Sequence, residues 1–127
     1  MVLIAPAVDF TEELIWARLP KNVQREIETI GFWMRPTQYA PEPYPITHAL
    51  IKEGRSHLLF DETIRTHCPV HILQGMHDPD VPWNHAMKLV EHIAGDPVAL
   101  TLIKDGDHRL SREQDIQRLL AAIEQIA

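Results

Sequence analysis

Two residues of this chain stand where acid–base chemistry would need them. Asp78 lies in the stretch GMHDPDVP, Gly75 to Pro82, and His108 lies in KDGDHRLS, Lys104 to Ser111. Each stretch follows a strand-like apolar run, Cys68–Gln74 in the first case and Val98–Ile103 in the second. In an open parallel sheet, chemistry gathers at the carboxyl ends of the strands. Adjacent strands would bring Asp78 and His108 onto one edge. A carboxylate there accepts the Nδ1–H of the imidazole, fixes its tautomer and stabilises the imidazolium that forms when the ring takes a proton. This is two-thirds of a nucleophile–histidine–acid triad, in the chain order acid then histidine.

Other residues compete for these roles. Asp78 alone reads as turn chemistry, since Asp-Pro-Asp is a common turn, and His108 alone reads as a solvated loop histidine. Asp80 is the rival acid, but it sits nearer the next helix start, where aspartate is a good N-cap. Asp105 and Asp107 read as turn formers and solubilising charges. Eight histidines raise the question of a metal. His67, Cys68, His71 and His77 cluster in sequence, and His85 and His92 share a helix face, yet none has the tight paired spacing of a zinc site. Metal binding ranks last among the readings, and neither a metal nor a cofactor is expected. Cys68 precedes its strand rather than following it, the wrong place for a nucleophile, and reads as a small buried residue.

The elements that must position the pair are legible from periodicity and punctuation. Residues 2–8 are apolar without alternation, as in a strand buried on both faces of a parallel sheet. Asp9 and Glu12 have capping-box spacing ahead of a helix around 11–18, and a second helix runs from Pro20 to Ile30, where Gly31 ends it. Residues 31–47 carry Pro36, Pro41, Pro43 and Pro45 among Trp33, Met34, Tyr39 and Tyr44, which predicts an irregular surface excursion. A helix over 46–54 stops at Gly54. The strand through Gln74 is followed by a helix from Trp83 to Ala94, with Pro82 at its start and Gly95 after it. After the strand 98–103, Ser111 to Gln114 has capping-box spacing, and Leu119, Leu120, Ile123 and Ile126 give the last helix its apolar stripe. Strand, helix, strand, helix at this spacing predicts βαβ units and a parallel sheet of about three strands flanked by helices, an α/β fold. The expected organisation is one partial domain over 1–127: a strand at 1–9, cap-like helices and a loop over 10–66, and a βαβα unit over 67–127.

The loops LQGMHDPDVPW and DGDHRLS, in that order and each after a strand, resemble the C-terminal part of α/β-hydrolases. Gly75, Asp78 and Val81 match that family's acid loop, G-x-x-D-x-x-V, and Gly106 and His108 match its histidine loop. The flanking residues look closest to bacterial serine hydrolases related to the mitochondrial acyl-protein thioesterase branch. The resemblance implies that LIAPAVDF is the family's sixth strand, that residues 10–60 are its cap, and that Asp78 and His108 are the catalytic acid and base for ester or thioester hydrolysis. It also implies that Trp16, Trp33, Met34, Tyr39 and Tyr44 line an acyl pocket, with packing inside the cap as the alternative. The family's nucleophile elbow, G-x-S-x-G, does not occur in the sequence. The chain has two serines. Ser56, in GRSHL, follows a helix, and Ser111 reads as an N-cap.

Composition narrows the remaining choices. A net charge of −6 with scattered lysines and arginines excludes a phosphate-backbone binder, so no nucleic-acid partner is expected. No apolar run approaches the ~18 residues of a membrane span. One cysteine fits a reducing compartment, and a cytoplasmic location is the expectation. The leading reading is therefore an α/β-hydrolase-like chain that carries the acid and histidine of a triad and is inactive alone. Its expected partners are an N-terminal hydrolase segment or a second copy, since a sheet edge at residues 2–8 would otherwise be open. The alternatives are a non-catalytic α/β interaction or binding module, or an open-reading-frame fragment of a longer hydrolase.

Overall fold

The computed structural model describes residues 1–95 and 97–127. The chain divides into two compact units, one formed by Met1–Val8 with Leu59–Ala127 and the other by Asp9–Leu58.

The first unit is a three-stranded parallel sheet with helices on both faces. Its strands are β1 (Val2–Ile4), β4 (Val70–Gly75) and β5 (Val98–Ile103), in the spatial order β1-β4-β5. The central position of β4 explains its composition, for neighbours on both sides and helices on both faces leave nearly all of it buried. Alternate residues feed two cores. Val70 and Ile72 pack with Ala86, Leu89 and Ile93 of the helix α3 (Trp83–His92) and the residues after it. Leu73 turns the other way and packs with Ile103, Leu110 and Leu119, the last on the helix α4 (Glu113–Ile126). The β4–β5 register runs from Val70 opposite Val98 to Gly75 opposite Ile103, so the two strands end level. The α/β class and the three-stranded parallel sheet agree with the sequence reading.

Several local expectations are corrected. The first strand ends at Ile4, not residue 8, because Ala5 takes a positive φ of 44° and Pro6 follows. Asp9 precedes a helical turn but also has positive φ and makes no side-chain cap; the turn over Phe10–Ile15 is a wide π-type turn continued by a 3₁₀ turn at Trp16–Arg18. Arg112, not Ser111, is the N-cap residue of α4.

In the second unit, α1 (Lys21–Ile30) ends on Gly31 at φ 100°, as its sequence predicts. The proline-rich stretch is not wholly irregular. Strands β2 (Phe32–Arg35) and β3 (Tyr44–Thr47) form an antiparallel hairpin in which Pro45 stands opposite Met34. Two strands leave each an outer edge, where a missing N–H breaks no ladder bond. Thr47 then caps α2 (His48–Gly54), its hydroxyl accepting from Leu50 N–H. Ile15, Ile27, Ile46 and Ile51 are the buried core, with Trp16 and Trp33 packed against it. Met34, Tyr39 and Tyr44 are exposed. Of the aromatic residues expected to line an acyl pocket, the two tryptophans thus pack against this unit's own core. Among the described residues no helix is long and apolar enough to cross a membrane.

Candidate active site

The sheet sets the distance between the two loops before any side chain acts. Because β4 and β5 end level, the residues that follow them keep pairing by backbone. Met76 N–H donates to Ile103 O at 2.9 Å, and His77 N–H donates to Gly106 O at 2.9 Å. Close approach is allowed by two glycines. A Cβ on Gly75 would collide with the carbonyls of Gly106 and Asp107, and one on Gly106 would meet Leu110 Cδ2 at 2.7 Å and Gly75 Cα at 3.1 Å.

The structure brings Asp78 and His108 together on this base. His108 Nδ1 donates to Asp78 Oδ2 at 2.8 Å. The donor assignment follows from the partner, since a carboxylate only accepts. The Asp78 side chain is fully buried, and that of His108 is 35% exposed. Asp78 Oδ1 accepts two backbone N–H groups, from Asp80 at 2.8 Å and Val81 at 2.9 Å. Its own loop therefore wraps the carboxylate. With Nδ1 committed, the lone pair of neutral His108 is on Nε2, which has no partner among the described residues. A partly exposed ring with a fixed tautomer is equipped to accept a proton at Nε2 and to return it.

Asp80 lies close, and its backbone N–H is bonded to Asp78 Oδ1. Asp78, Asp80 and His108 each offer a metal-ligand atom within 4.8 Å of the others, and this is the set of described residues that could hold an ion. A cation bound to Asp78 would compete with the N–H donors that already fill both of its oxygens. The histidines grouped by sequence are not gathered. His71 bonds Thr101 Oγ1 across the sheet at 2.9 Å, His85 bonds Val8 O at 2.8 Å, and His92 bonds Lys88 O within its own helix.

Sequence reasoning missed two groups of supporting residues. The first is Gln74, fully buried one residue before the end of β4, whose amide reaches Asp78 Oδ2 at 3.3 Å. Its signal was a polar residue at the end of an apolar strand. The second is an ionic clamp behind the histidine loop. Arg112 grips Asp105 with two N–H groups at 2.8 and 3.2 Å, and it grips Asp115 of α4 at 2.7 and 3.2 Å. Arg118 adds a bond to Asp115 at 2.8 Å. Asp105 stands in the turn that Gly106 N–H closes on Ile103 O at 3.0 Å, as its sequence predicts, and is an ion-pair partner as well. Asp107 also forms a turn, accepting Leu110 N–H at 2.8 Å.

The clamp predicts a pH signature. Hydrogen bonding to Arg112 is the largest cause holding the Asp105 carboxyl down, to about 2, and it lowers the buried Asp115 as well. A carboxyl that binds its proton more weakly when folded adds stability above its ordinary value of 3.8, and this is lost as pH falls toward 2. Denaturant unfolding at pH 5 and again near pH 2.5 is expected to show a larger loss for the native chain than for Arg112→Met. Equal losses would mean that the clamp contributes nothing. Asp105 is exposed, so its share is screened and small.

No protein-family model matches the chain. Mouse palmitoyl-protein thioesterase ABHD10, a mitochondrial protein, is 38% identical over 109 residues, which are 85% of this chain and 37% of that protein. A crystal structure of a hydrolase from Agrobacterium vitis S4 superposes with a TM-score of 0.92 at 52% identity, over 99% of this chain and 48% of that one. The solved α/β hydrolase domain-containing protein 10 from mouse gives 0.84 at 33% identity, over 98% of this chain and 50% of that one. The chain spans little more than a third of the length of the curated relative and about half of the two solved chains. The parallel sheet with helices on both faces is shared with these hydrolases over nearly the whole chain. The chain belongs to the α/β-hydrolase superfamily and matches the C-terminal part of that fold.

Proposed function

We propose that Asp78 and His108 are the acid and base of a serine-hydrolase triad acting on carboxylic esters or thioesters. The observation that carries this reading is the 2.8 Å bond from His108 Nδ1 to a buried carboxylate, which leaves Nε2 as the basic atom. His108 would take the proton of an attacking serine as the acyl–enzyme bond forms, then deliver it to the leaving thiolate or alkoxide. Asp78 would hold the ring and stabilise the imidazolium between the two transfers. The name of the mouse relative supports the thioester class, with a long-chain acyl group as the portion cleaved from its carrier.

The serine is proposed to come from a segment corresponding to the part of the relatives that this chain does not match. Neither Ser56 nor Ser111 lies in a G-x-S-x-G sequence. Among the described residues β1 pairs only with β4, so its other edge is the proposed docking line for that segment, in preference to a second copy. A reducing compartment fits the single cysteine; the cytoplasmic location expected from the sequence stands as a proposal beside the mitochondrial one in the relative's name.

Purified residues 1–127 are expected to resist a serine-directed fluorophosphonate probe and to show negligible esterase activity. Labelling at Ser56 or Ser111 would overturn the assignment. A non-catalytic binding module is the competing reading, favoured by the lack of the elbow sequence. It predicts that a chain joined to a G-x-S-x-G segment of a close relative stays inactive, where a triad predicts ester cleavage.

A further inference from the structure

Gln74 is the least expected side chain in the core of the sheet. It is fully buried near the end of β4, after Val70, Ile72 and Leu73, where an apolar residue of the same size would fill the space. Its Nε2 faces three acceptors: Gly75 O at 3.0 Å, Val81 O at 3.0 Å and Asp78 Oδ2 at 3.3 Å. The amide cannot be turned over, because its oxygen would then face two carbonyls and a carboxylate. In this orientation Oε1 is buried and has no hydrogen-bond partner. A core position that tolerates an unsatisfied acceptor is held by something other than packing. What Gln74 supplies is its pair of donors, and both act on the acid loop.

We infer that Gln74 is a positioning residue for the Asp78–His108 pair, fixing the acid loop from beneath. Its bonds to Gly75 O and Val81 O tie the start of that loop to its end. Its contact with Oδ2 meets the same oxygen that receives His108 Nδ1–H. The carboxylate is therefore held by four donors: Gln74 and His108 on Oδ2, and the Asp80 and Val81 amides on Oδ1. The consequence for catalysis rests on the triad reading above; the hold on the loop does not.

Gln74→Met keeps the length of the side chain and removes both donors. NMR on residues 1–127 reads the outcome at two places. Solvent exchange of the His108 Nδ1–H proton is expected to speed up by about five- to tenfold, the worth of one net hydrogen bond. Exchange of the Asp80 and Val81 amides is expected to rise by a similar factor. Exchange in the β4–β5 ladder and the thermal midpoint are expected to change little, because removal of the orphaned Oε1 offsets the donors lost to Gly75 O and Val81 O. Unchanged exchange at His108, Asp80 and Val81 overturns the inference. So does a loss spread evenly through the ladder, which would make Gln74 a packing residue only; Gln74→Leu repeats the measurement with a second apolar side chain. Asp78→Asn separates the two readings. A His108 Nδ1–H signal that depends on Asp78 but not on Gln74 removes the positioning role and leaves the pair intact. A proton unprotected even in the native chain removes the pair, while the Asp80 and Val81 amides still report on Gln74.

Discussion

In a hydrolase assembled around this chain, Asp78→Asn is expected to lower kcat by on the order of 10⁴-fold, and His108→Ala by at least as much. The asparagine result follows from the donors around the carboxylate. Oδ1 accepts the N–H groups of Asp80 and Val81, so the asparagine oxygen is required at that corner. Its NH₂ must then occupy the place of Oδ2, facing His108 Nδ1 and the Gln74 amide, both of which are donors to Oδ2. The imidazole escapes this clash only by moving its proton to Nε2, which blocks the atom that must accept one. The fold is retained and the base is lost. Esterase kinetics on the assembled enzyme check this, with KM expected to change far less than kcat. A loss under tenfold for Asp78→Asn would move the acid role to another residue, with Asp80 the nearest candidate. His108→Ala removes the base outright, and the residual rate is whatever binding and oxyanion stabilisation supply.

Ile72→Ala is expected to cost about 3 kcal/mol of stability, lowering Tm by roughly 10 °C for a chain of this size. Ile72 is fully buried at the middle of the central strand, enclosed by Val70, Ala86, Leu89 and Ile93. Truncation loses the transfer energy of three carbons and leaves a cavity that flanking strands on both sides cannot close. The control is Leu102→Ala on β5. Leu102 is exposed, so its cost is expected to stay under about 1 kcal/mol. Thermal unfolding of both variants checks the contrast, and equal losses would mean that the core is not centred on β4. Such a cost is a large fraction of the 5–15 kcal/mol typical of a domain.

The regular half of the molecule was legible because its signals are local. Val98–Ile103 is a strand with the boundaries its apolar run predicts, and Pro82 opens α3 as expected, although the helix ends at His92 rather than Ala94. The meeting of Asp78 and His108 followed from one topological premise, that the two strands are parallel neighbours. What escaped was decided by partners far along the chain or by positive φ. Ala5 stops the first strand through a backbone angle that no composition rule assigns to alanine. The hairpin over 32–47 is stable because its prolines fall where no ladder bond is required, which depends on a strand count invisible in a window of ten residues. The contact of Gln74 with Asp78 and the Arg112 grip on Asp105 and Asp115 depend on side-chain reach across a finished backbone. An aspartate in the first turn of α4 reads as a favourable helix-dipole charge; only the structure shows it buried between two arginines.

The backbone pairing that continues past the strand ends also decides which changes the pair tolerates. Met76 and His77 are joined to Ile103 and Gly106 through main-chain atoms alone, so the spacing of acid and imidazole does not depend on their side chains. Side-chain changes at those two positions leave this backbone pairing in place, provided that the glycines at 75 and 106 stay bare. A change in loop length between 103 and 106 is a different matter, since it would slide one backbone past the other and carry His108 with it. Residue count and the absence of two Cβ atoms thus set the spacing of the two loops, and the side chains act within that spacing.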